Sequence, residues 1–331
     1  MSLPKQLRAI MEENALIVSA YSRYINYTPR FITQEMVEDL AKECQITNHE
    51  AYLLLLSAAL GLDTVDNPEH RRLERLYISA GVRELDPLPY QNDAYCQTIH
   101  LPAQSFGKWN TQTSHYSAYE PFVWRDPILS PNFREVPQIG YFAADFAFPA
   151  IHENGVEWMS VKPNEVETMK EPIAHANGSV LTLGLGLGYF AFHASQKENV
   201  TSVTVIERER DVIELFRELI LPQFPHKEKI RIIQADALDY MQAELPKTKF
   251  DFIFADLWHD ASDGLELYLK LKKMEANAHG TPTDYWIEPS LLSCLRTMLY
   301  QKLNDPSESL HLQGLAPEQY LSNDFLKTLT F

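Results

Sequence analysis

Three of the chain's 12 glycines fall within five residues, at Gly184, Gly186 and Gly188. Glycine is scarce elsewhere in the 331 residues, and an apolar run at positions 180–183 leads directly into the cluster. An apolar, helix-like stretch follows it. A strand, a glycine-rich turn and a helix in this order allow the backbone to approach a nucleotide-like ligand at the helix N terminus. The sequence therefore predicts that these glycines bind such a ligand.

Composition excludes several classes of function. The formal net charge is −16, and a surface that follows phosphates needs Lys and Arg, so we expect no general nucleic-acid binding. The cysteines, Cys44, Cys96 and Cys294, are odd in number and form no CxxC motif, which favours a reducing compartment. The longest apolar stretch, residues 51–62, is shorter than the ~18 residues of a membrane span. Charged residues interrupt the first apolar positions, so no signal peptide is expected. The sequence predicts a cytoplasmic protein without membrane contact, and a homo-oligomer stays open.

Residues 1–85 are predicted to form a helical domain. Residues 47–50, Thr-Asn-His-Glu, make a capping box ahead of an apolar run. Asn67 and Pro68 provide an N-cap and a first helical residue, and Gly81 is expected just past the end of that helix.

Residues 86–162 are rich in proline and aromatic residues and are predicted to form a connector with a β-hairpin. The hairpin pattern places a strand at 139–148, a turn at 153–155 and a return strand at 156–161. The aromatic residues either line a substrate pocket or pack between domains.

Residues 163–305 alternate between strand-like and helix-like runs, which predicts an α/β fold with a doubly wound parallel sheet. A helix opens at Pro163 and ends near Gly178. After residue 305, a C-terminal helical tail (306–331) is expected, with its helix at 317–329. The predicted strands are 179–183, 202–206, 230–234, 250–255 and, more weakly, 285–288, and a helix is predicted at 210–221.

Acidic residues follow three successive strands of this predicted sheet. Glu207 comes about 20 residues after the glycines, where an acid accepts hydrogen bonds from ribose hydroxyls. Asp236 and Ala237 follow the third strand, where an adenine amino group would be held, and Asp256 follows the fourth. Because the carboxyl ends of parallel strands meet at one edge, we expect these residues to form one site.

These residues resemble the class I S-adenosylmethionine-dependent methyltransferases over roughly residues 152–300. The glycine loop, Glu207, Asp236 with Ala237 and the Asp256 loop occur in that family's order. Within the family the chain looks most like the spermidine-synthase-like branch. The similar segments are residues 154–158 (Asn-Gly-Val-Glu-Trp), 164–165 (Asn-Glu), 173–175 (Ile-Ala-His) and 250–256 (Phe-Asp-Phe-Ile-Phe-Ala-Asp). The resemblance implies a Rossmann-like methyltransferase fold and S-adenosyl-L-methionine as the cofactor.

The chain departs from the aminopropyltransferases of that branch at polar positions. Leu187 stands where their glycine loop has an aspartate, and Trp158 stands where they have a glutamine. Their Tyr-His pair has no counterpart near residues 169–170. Methyltransferases often carry an acid two residues before the first glycine, whereas this chain has Thr182.

The loop at residues 256–260, Asp-Leu-Trp-His-Asp, is the predicted reacting end of the site. We expect Asp256, His259 and Asp260 to be catalytic, with His259 as a general base and Asp256 holding the nucleophile or the cofactor. Trp258 would stack on adenine or cover the substrate. The loop also resembles the Asp-x-Trp-Lys-Asp loop of catechol-type O-methyltransferases. Their accompanying Asp-Asn pair is absent near residue 284, so no metal is predicted.

The sequence thus predicts S-adenosylmethionine-dependent methyl transfer to an O or N nucleophile of a small molecule. Two alternatives stay open. One is an aminopropyltransferase-like enzyme that uses decarboxylated S-adenosylmethionine, and the other is a non-catalytic, cofactor-binding sensor or scaffold whose helical domain recruits a partner, with the face at residues 51–62 as the expected contact. A nicotinamide cofactor is disfavoured because its Gly-x-Gly-x-x-Gly motif needs glycine at Tyr189. The fourth strand is followed by neither of the loops used for nucleic-acid base methylation.

Overall fold

A computed structural model describes residues 4–304, 316 and 318–329 of the chain. A π-helical segment, Glu74–Ile78, joins the helices at Pro68–Leu73 and Ser79–Gly81, and another, Phe216–Ile220, continues the helix at Arg210–Leu215. The helices are α1 (Lys5–Tyr27), α2 (Gln34–Cys44), α3 (Asn48–Ala59), α4 (Pro68–Leu73), α5 (Ser79–Gly81), α6 (Leu88–Gln91), α7 (Ala94–Thr98), α8 (Pro163–His175), α9 (Tyr189–Gln196), α10 (Arg210–Leu215), α11 (Ala237–Ala243), α12 (Ala261–Met274), α13 (Glu288–Asn304) and α14 (Asn323–Leu326).

The strands of the described residues form three sheets. The strands are β1 (Val82–Glu84), β2 (Gln104–Phe106), β3 (Trp109–Tyr116), β4 (Phe122–Leu129), β5 (Glu135–Tyr141), β6 (Phe146–Glu153), β7 (Val156–Ser160), β8 (Gly178–Leu183), β9 (Val200–Glu207), β10 (Ile230–Gln234), β11 (Phe252–Ala255) and β12 (Thr283–Tyr285). A three-stranded sheet has the order β1-β5-β4. A four-stranded sheet has the order β2-β3-β6-β7, and a five-stranded sheet has the order β10-β9-β8-β11-β12.

The chain divides into two compact units that are each discontinuous in sequence. Unit 1 consists of residues 1–87, 115–146 and 292–328, and unit 2 of residues 88–114, 147–291 and 329–331. This division differs from the four consecutive ranges that the sequence indicated, because β4, β5 and most of α13 belong with the helical segment in unit 1. Composition shifts along a chain cannot reveal that a later segment packs with an earlier one, because this depends on contacts between residues distant in sequence.

Unit 1 packs its helices around an apolar core that includes residues of β1 and β5. Thr47 and Glu50 form both hydrogen bonds of the predicted capping box, and Asn67 caps α4 as expected. Gly81 is the last helical residue rather than the residue after the helix. A Cβ atom there would lie 2.1 Å from the Pro137 carbonyl oxygen, so glycine allows β5 to approach.

The apolar face of α3 lies inside this core. Ala51, Tyr52 and Leu56 are 0% exposed. Leu54, on the same helix, is 42% exposed, and capture of a partner through residues 51–62 stays a prediction.

Unit 2 contains the predicted α/β fold, with all five strands of its largest sheet parallel. The predicted strand at 230–234 has its expected bounds, and three other strands match within about two residues. The weak strand predicted at 285–288 lies instead at Thr283–Tyr285, and Glu288 begins α13. β8 lies between β9 and β11. From β8 the chain continues to β9 and β10 on one side of the sheet and then to β11 and β12 on the other side, so the strand order reverses at β8. In open α/β sheets, ligands bind at such a reversal, beyond the carboxyl ends of the strands.

The predicted hairpin has a correct turn and a wrong first strand. Asn154 and Gly155 form the turn between β6 and β7, both with positive φ. The expected strand at 139–148 is two strands, because β5 ends at Tyr141 and joins the β1-β5-β4 sheet, while β6 begins at Phe146 in another sheet. The alternating pattern continues across the break, so periodicity alone does not reveal it.

The C-terminal tail is only partly within the described residues. Residues 305–315, 317, 330 and 331 lie outside them, and so does the start of the helix expected at 317–329. The described part has a short 3-10 helix, Gln319–Leu321, and α14. Across the described residues, no helix combines the length and the apolar character that crossing a membrane requires. No disulfide joins the three cysteines.

Candidate functional site

The glycine loop connects β8 to α9, and all three of its glycines have positive φ. The values are +97° at Gly184, +52° at Gly186 and +77° at Gly188, a region that side chains disfavour. A Cβ atom on Gly184 would lie 1.9 Å from the carbonyl oxygen of Asp256, and one on Gly188 would lie 2.4 Å from the Phe216 ring. A Cβ on Gly186 would meet nothing within 4 Å. Two glycines therefore allow close packing, while the middle one faces open space.

Two backbone N–H groups of the glycine loop are available to donate hydrogen bonds to a ligand. The N–H groups of Gly186 and Leu187 make no hydrogen bond within the described residues. The first N–H groups of α9, which begins at Tyr189, also lack partners within the helix, as at every helix N terminus. The loop thus presents several donors beside an open face, as a ligand with acceptor oxygens or nitrogens requires.

Glu207, at the end of β9, holds the glycine loop from the neighbouring strand. Its carboxylate accepts hydrogen bonds from the N–H of Leu185 at 3.2 Å and from the N–H of Glu209 at 2.8 Å. Burial raises its pKa, and these backbone bonds oppose the rise. The predicted ribose-binding acid is thus next to the loop.

Asp236 and Ala237 follow β10, which pairs with β9. The Oδ1 atom of Asp236 caps α11 by accepting the N–H groups of Leu238 at 2.8 Å and Asp239 at 3.2 Å. Asp236 is exposed and Ala237 is buried. The second carboxylate oxygen of Asp236 has no hydrogen bond within the described residues.

Asp256 directly follows β11, and its N–H donates to the Leu183 carbonyl at 2.8 Å. This bond places it at the root of the glycine loop. Its carboxyl makes no hydrogen bond within the described part of the chain. The pKa of this carboxyl is raised well above its usual range, first by burial and then by the charges of Glu165 and Glu207.

Glu165, on α8, completes a group of three acids that we call the carboxyl cluster: Glu165, Glu207 and Asp256. Burial raises the pKa of Glu165 to about 7, opposed by Lys162 and reinforced by Glu157. Lys162 pairs with Glu157 at 3.1 Å. Sequence reasoning found Glu165 only as part of a family resemblance, because a single acid in the first turn of a helix is common.

Trp258 is buried between neighbouring elements. It is 6% exposed, its Nε1 donates to the Trp286 carbonyl at 3.3 Å, and its ring fills the space beside Gly264. Its stacking on adenine or covering of the substrate stays a prediction. The ring anchors the start of α12.

His259 is partly exposed and is held from two sides. Its Nδ1 lies 3.0 Å from an Asp263 carboxylate oxygen, and its ring packs edge-on against Trp158 at a centroid distance of 4.0 Å.

Asp260 caps α12 by accepting hydrogen bonds from the N–H groups of Ser262 and Asp263. Its observed contacts are those of a helix cap. Trp158 and Asp263 were not predicted as site residues. The spacing of Asp263, four residues after His259 and three after Asp260, was a local signal for its contact, whereas nothing local indicates the contact of Trp158.

Within the described residues, no group of three or more His, Cys, Asp or Glu side chains has an arrangement that could hold a metal ion. The site consists of a glycine loop with available donors and the carboxyl cluster, in which Glu207 and Asp256 are at strand ends and Glu165 is in the first turn of α8.

Comparisons with known proteins give only partial similarities. No protein-family model matches the chain, and no curated protein matches it. The spermidine synthase of Thermotoga maritima is 18% identical over 38% of this chain and 48% of its own, with a TM-score of 0.29. A spermidine synthase in complex with the transition state analogue AdoDATO is 16% identical over 42% of this chain and 49% of its own, with a TM-score of 0.31.

A conserved hypothetical protein from Streptococcus pyogenes is 17% identical over 31% of this chain and 61% of its own, with a TM-score of 0.26. The chain thus spans about half the length of each spermidine synthase that it matches.

Proposed function

We propose that this protein is a transferase that moves an alkyl group from an adenosyl sulfonium compound to an amine nitrogen. The observation that carries the proposal is the juxtaposition of a donor-rich glycine loop with the carboxyl cluster. The loop suits the adenosyl part of the ligand, and the cluster suits a positively charged partner. The loop, Glu207 and Asp256 follow the carboxyl ends of β8, β9 and β11, where ligands bind in open α/β sheets.

The residues present fit an adenosyl ligand. Glu207 has a carboxylate beside the loop that would accept the ribose hydroxyls, as an acid at this position does in nucleotide-binding folds. The uncommitted oxygen of Asp236 lies after the next strand, where it would accept from an adenine amino group. Gly186 leaves room for the ligand to approach the backbone. When bound, a sulfonium supplies an electrophilic carbon and a thioether leaving group.

The carboxyl cluster favours an amine acceptor over a neutral hydroxyl. The charges of Glu165 and Glu207 raise the pKa of Asp256, so a cation placed among these acids would relieve their mutual repulsion. An ammonium must lose a proton before its nitrogen can attack. A carboxylate whose pKa is raised, such as Asp256, is a stronger base than an ordinary one and would accept that proton. The protein also aligns the nitrogen with the reacting carbon.

Methyl transfer from S-adenosylmethionine is the first form of this reaction, and aminopropyl transfer from decarboxylated S-adenosylmethionine is the second. The carboxyl cluster specifically favours the second, because the decarboxylated tail carries an ammonium and no carboxylate that the acids would repel. Thr182 is buried and its hydroxyl donates to the Gly184 carbonyl at 3.3 Å, so it offers no charge to a methionine tail.

Calorimetric titration tests the donor. The ligands are S-adenosylmethionine, its decarboxylated form, S-adenosylhomocysteine, methylthioadenosine and NAD. We expect micromolar binding of an adenosyl sulfonium, weakened at least tenfold in Glu207→Gln and unchanged in the matched control Glu214→Gln, an exposed acid on α10. The tighter sulfonium identifies the transferred group. Binding of NAD alone, or of none of these ligands, would refute the proposal.

A second measurement tests the acceptor. Incubation with the preferred donor and a panel of diamines, monoamines and catechols, followed by mass spectrometry, should show alkylated amines. Alkylated catechols without alkylated amines would contradict the amine acceptor. Donor binding with no product from any acceptor would favour the non-catalytic alternative.

A further inference from the structure

A short segment that precedes both β-sheets of unit 2 contacts the glycine loop directly. Tyr95, on α7, is 0% exposed, and its hydroxyl donates to the Leu187 carbonyl at 2.6 Å. Its ring also packs against α9, with centroid distances of 5.5 Å to Tyr189 and 5.3 Å to Phe192. A residue about 90 positions before the loop thus fixes the orientation of one loop peptide.

Asp93 holds the beginning of α9 from the same segment. One carboxylate oxygen accepts the Tyr189 hydroxyl at 2.9 Å. The other lies 3.2 Å from Nε2 of His193 and also caps α7 by accepting the N–H of Tyr95 at 2.8 Å. Burial acts to raise the pKa of Asp93, but the bonds from His193, Tyr189 and Tyr95 lower it overall. The carboxylate is therefore well satisfied and has a defined position.

We infer that Tyr95 and Asp93 are positioning residues for the glycine loop, and we call them the brace. The inference rests on the proposed function, in which this loop binds the adenosyl donor. A loop with three glycines loses much conformational entropy when it becomes ordered. By fixing the Leu187 carbonyl and the first turn of α9 in the free protein, the brace lowers the entropy that ligand binding must remove. The N–H groups of Gly186 and Leu187 stay turned towards the ligand.

The variant Tyr95→Phe tests the brace, because it keeps the ring and removes only the donor to Leu187. The control is Tyr90→Phe, whose hydroxyl donates to Glu167 at 3.2 Å on α8 rather than to the loop. We expect Tyr95→Phe to weaken binding of the preferred adenosyl sulfonium about three- to tenfold, and Tyr90→Phe to leave it unchanged.

Amide hydrogen exchange in the ligand-free protein gives a readout that does not depend on the ligand. In Tyr95→Phe the N–H of Gly188, which donates to the Leu185 carbonyl, should exchange faster while the amides of β8 and β9 stay protected. A uniform increase over β8, β9 and the loop would indicate general destabilisation and would overturn the inference.

Failure of the brace is distinguishable from failure of the proposed function. Wild-type donor affinity and unchanged amide exchange of the loop in Tyr95→Phe would overturn the brace. The donor site would still be supported by the weaker donor binding of Glu207→Gln. Absence of sulfonium binding by the wild type would end the proposed function and, with it, the role of the brace in donor binding. If Tyr95→Phe does not fold, Asp93→Asn provides the same test, since asparagine still caps a helix but replaces one acceptor oxygen.

Discussion

At the scale of single residues, Glu165 connects the chemistry of the site to stability. Its pKa is about 7 in the folded chain, against an ordinary value of 4.5, mainly because of burial. Between these two pH values the folded chain keeps a proton that the unfolded chain loses, so the free energy of unfolding falls as the pH rises from about 4.5 to 7. The carboxyl cluster therefore costs stability at neutral pH.

We predict that Glu165→Gln stabilises the protein at pH 8 by roughly 1–3 kcal/mol and changes little at pH 4. Urea unfolding at the two pH values measures the difference. Glu171→Gln is the matched control, since that side chain is on the same helix and is 82% exposed. Equal stability of Glu165→Gln and wild type at pH 8 would show that this carboxyl does not resist ionisation.

Asp256 is the residue on which the chemical step of the proposed reaction depends. We predict that Asp256→Asn lowers kcat at least 100-fold, because the amide cannot accept the proton of the amine, and that kcat falls by a larger factor than donor affinity does. The wild-type rate should rise with pH as the Asp256 carboxyl ionises, above the range of an ordinary aspartate. Asp239→Asn, which alters an exposed acid on α11, is the control. A variant with wild-type kcat would exclude Asp256 as the base.

At the scale of elements, the glycine loop predicts two different results for the same substitution. Gly186→Ala should cost about 1–2 kcal/mol, the strain of a side chain at positive φ, and its methyl group would occupy the open face and weaken donor binding. Gly184→Ala should cost more, since the new atom would overlap the Asp256 carbonyl and separate β8 from β11. Urea unfolding and donor titration measure both effects. A larger loss of stability in Gly186→Ala would contradict the loop geometry.

In unit 1, His49 links α3 to β5. Its Nδ1 lies 2.8 Å from the Tyr141 hydroxyl, which lies 3.3 Å from a Glu84 carboxylate oxygen. Burial lowers the pKa of His49, although Glu84 opposes this. The unfolded chain therefore takes up a proton before the folded chain does, and stability should fall as the pH drops below about 6.5.

We predict that His49→Asn, which keeps a donor near the Nδ1 position, loses part of this dependence between pH 7 and pH 5. Urea unfolding followed by circular dichroism at several pH values gives the slope. His115→Asn, an exposed histidine of the same unit, should keep the wild-type slope. An unchanged slope in His49→Asn would show that the acid sensitivity arises elsewhere.

Elements with local signals were predictable from the sequence. The parallel strands are short apolar runs between polar turns, and the caps at Thr47 and Asn67 use side chains that act within three residues. The glycine loop and the acids after β9, β10 and β11 were predictable for the same reason. The turn between β6 and β7 was predictable too, because these two strands are adjacent in the chain. The pairing of β3 with β6 and of β1 with β5 was not, because it joins strands that are distant in sequence. Glu165, Trp158 and the brace belong to this second group.

At the scale of the whole molecule, each compact unit is assembled from separate stretches of chain, so its stability depends on contacts of long range. Unit 1 contains the clearest case. Arg296, on α13, is 1% exposed and pairs with Glu135 of β5, which is 3% exposed. It also donates to the Leu321 carbonyl at 2.7 Å and bonds to the side chain of Asn323. One buried guanidinium thus joins α13, β5 and the C-terminal segment.

Burial lowers the pKa of Arg296 to about 10, so Glu135 is needed to compensate its charge. We predict that Glu135→Gln destabilises unit 1 by about 3–5 kcal/mol, because an uncompensated charge stays buried. Arg296→Met should also destabilise it, since the Leu321 carbonyl and Asn323 lose their donor. The double variant should cost less than the sum of the two, because neither charge is left alone. Urea unfolding of the wild type, the two single variants and the double variant gives the double-mutant cycle. Strictly additive losses in the free energy of unfolding would show that Arg296 and Glu135 do not interact.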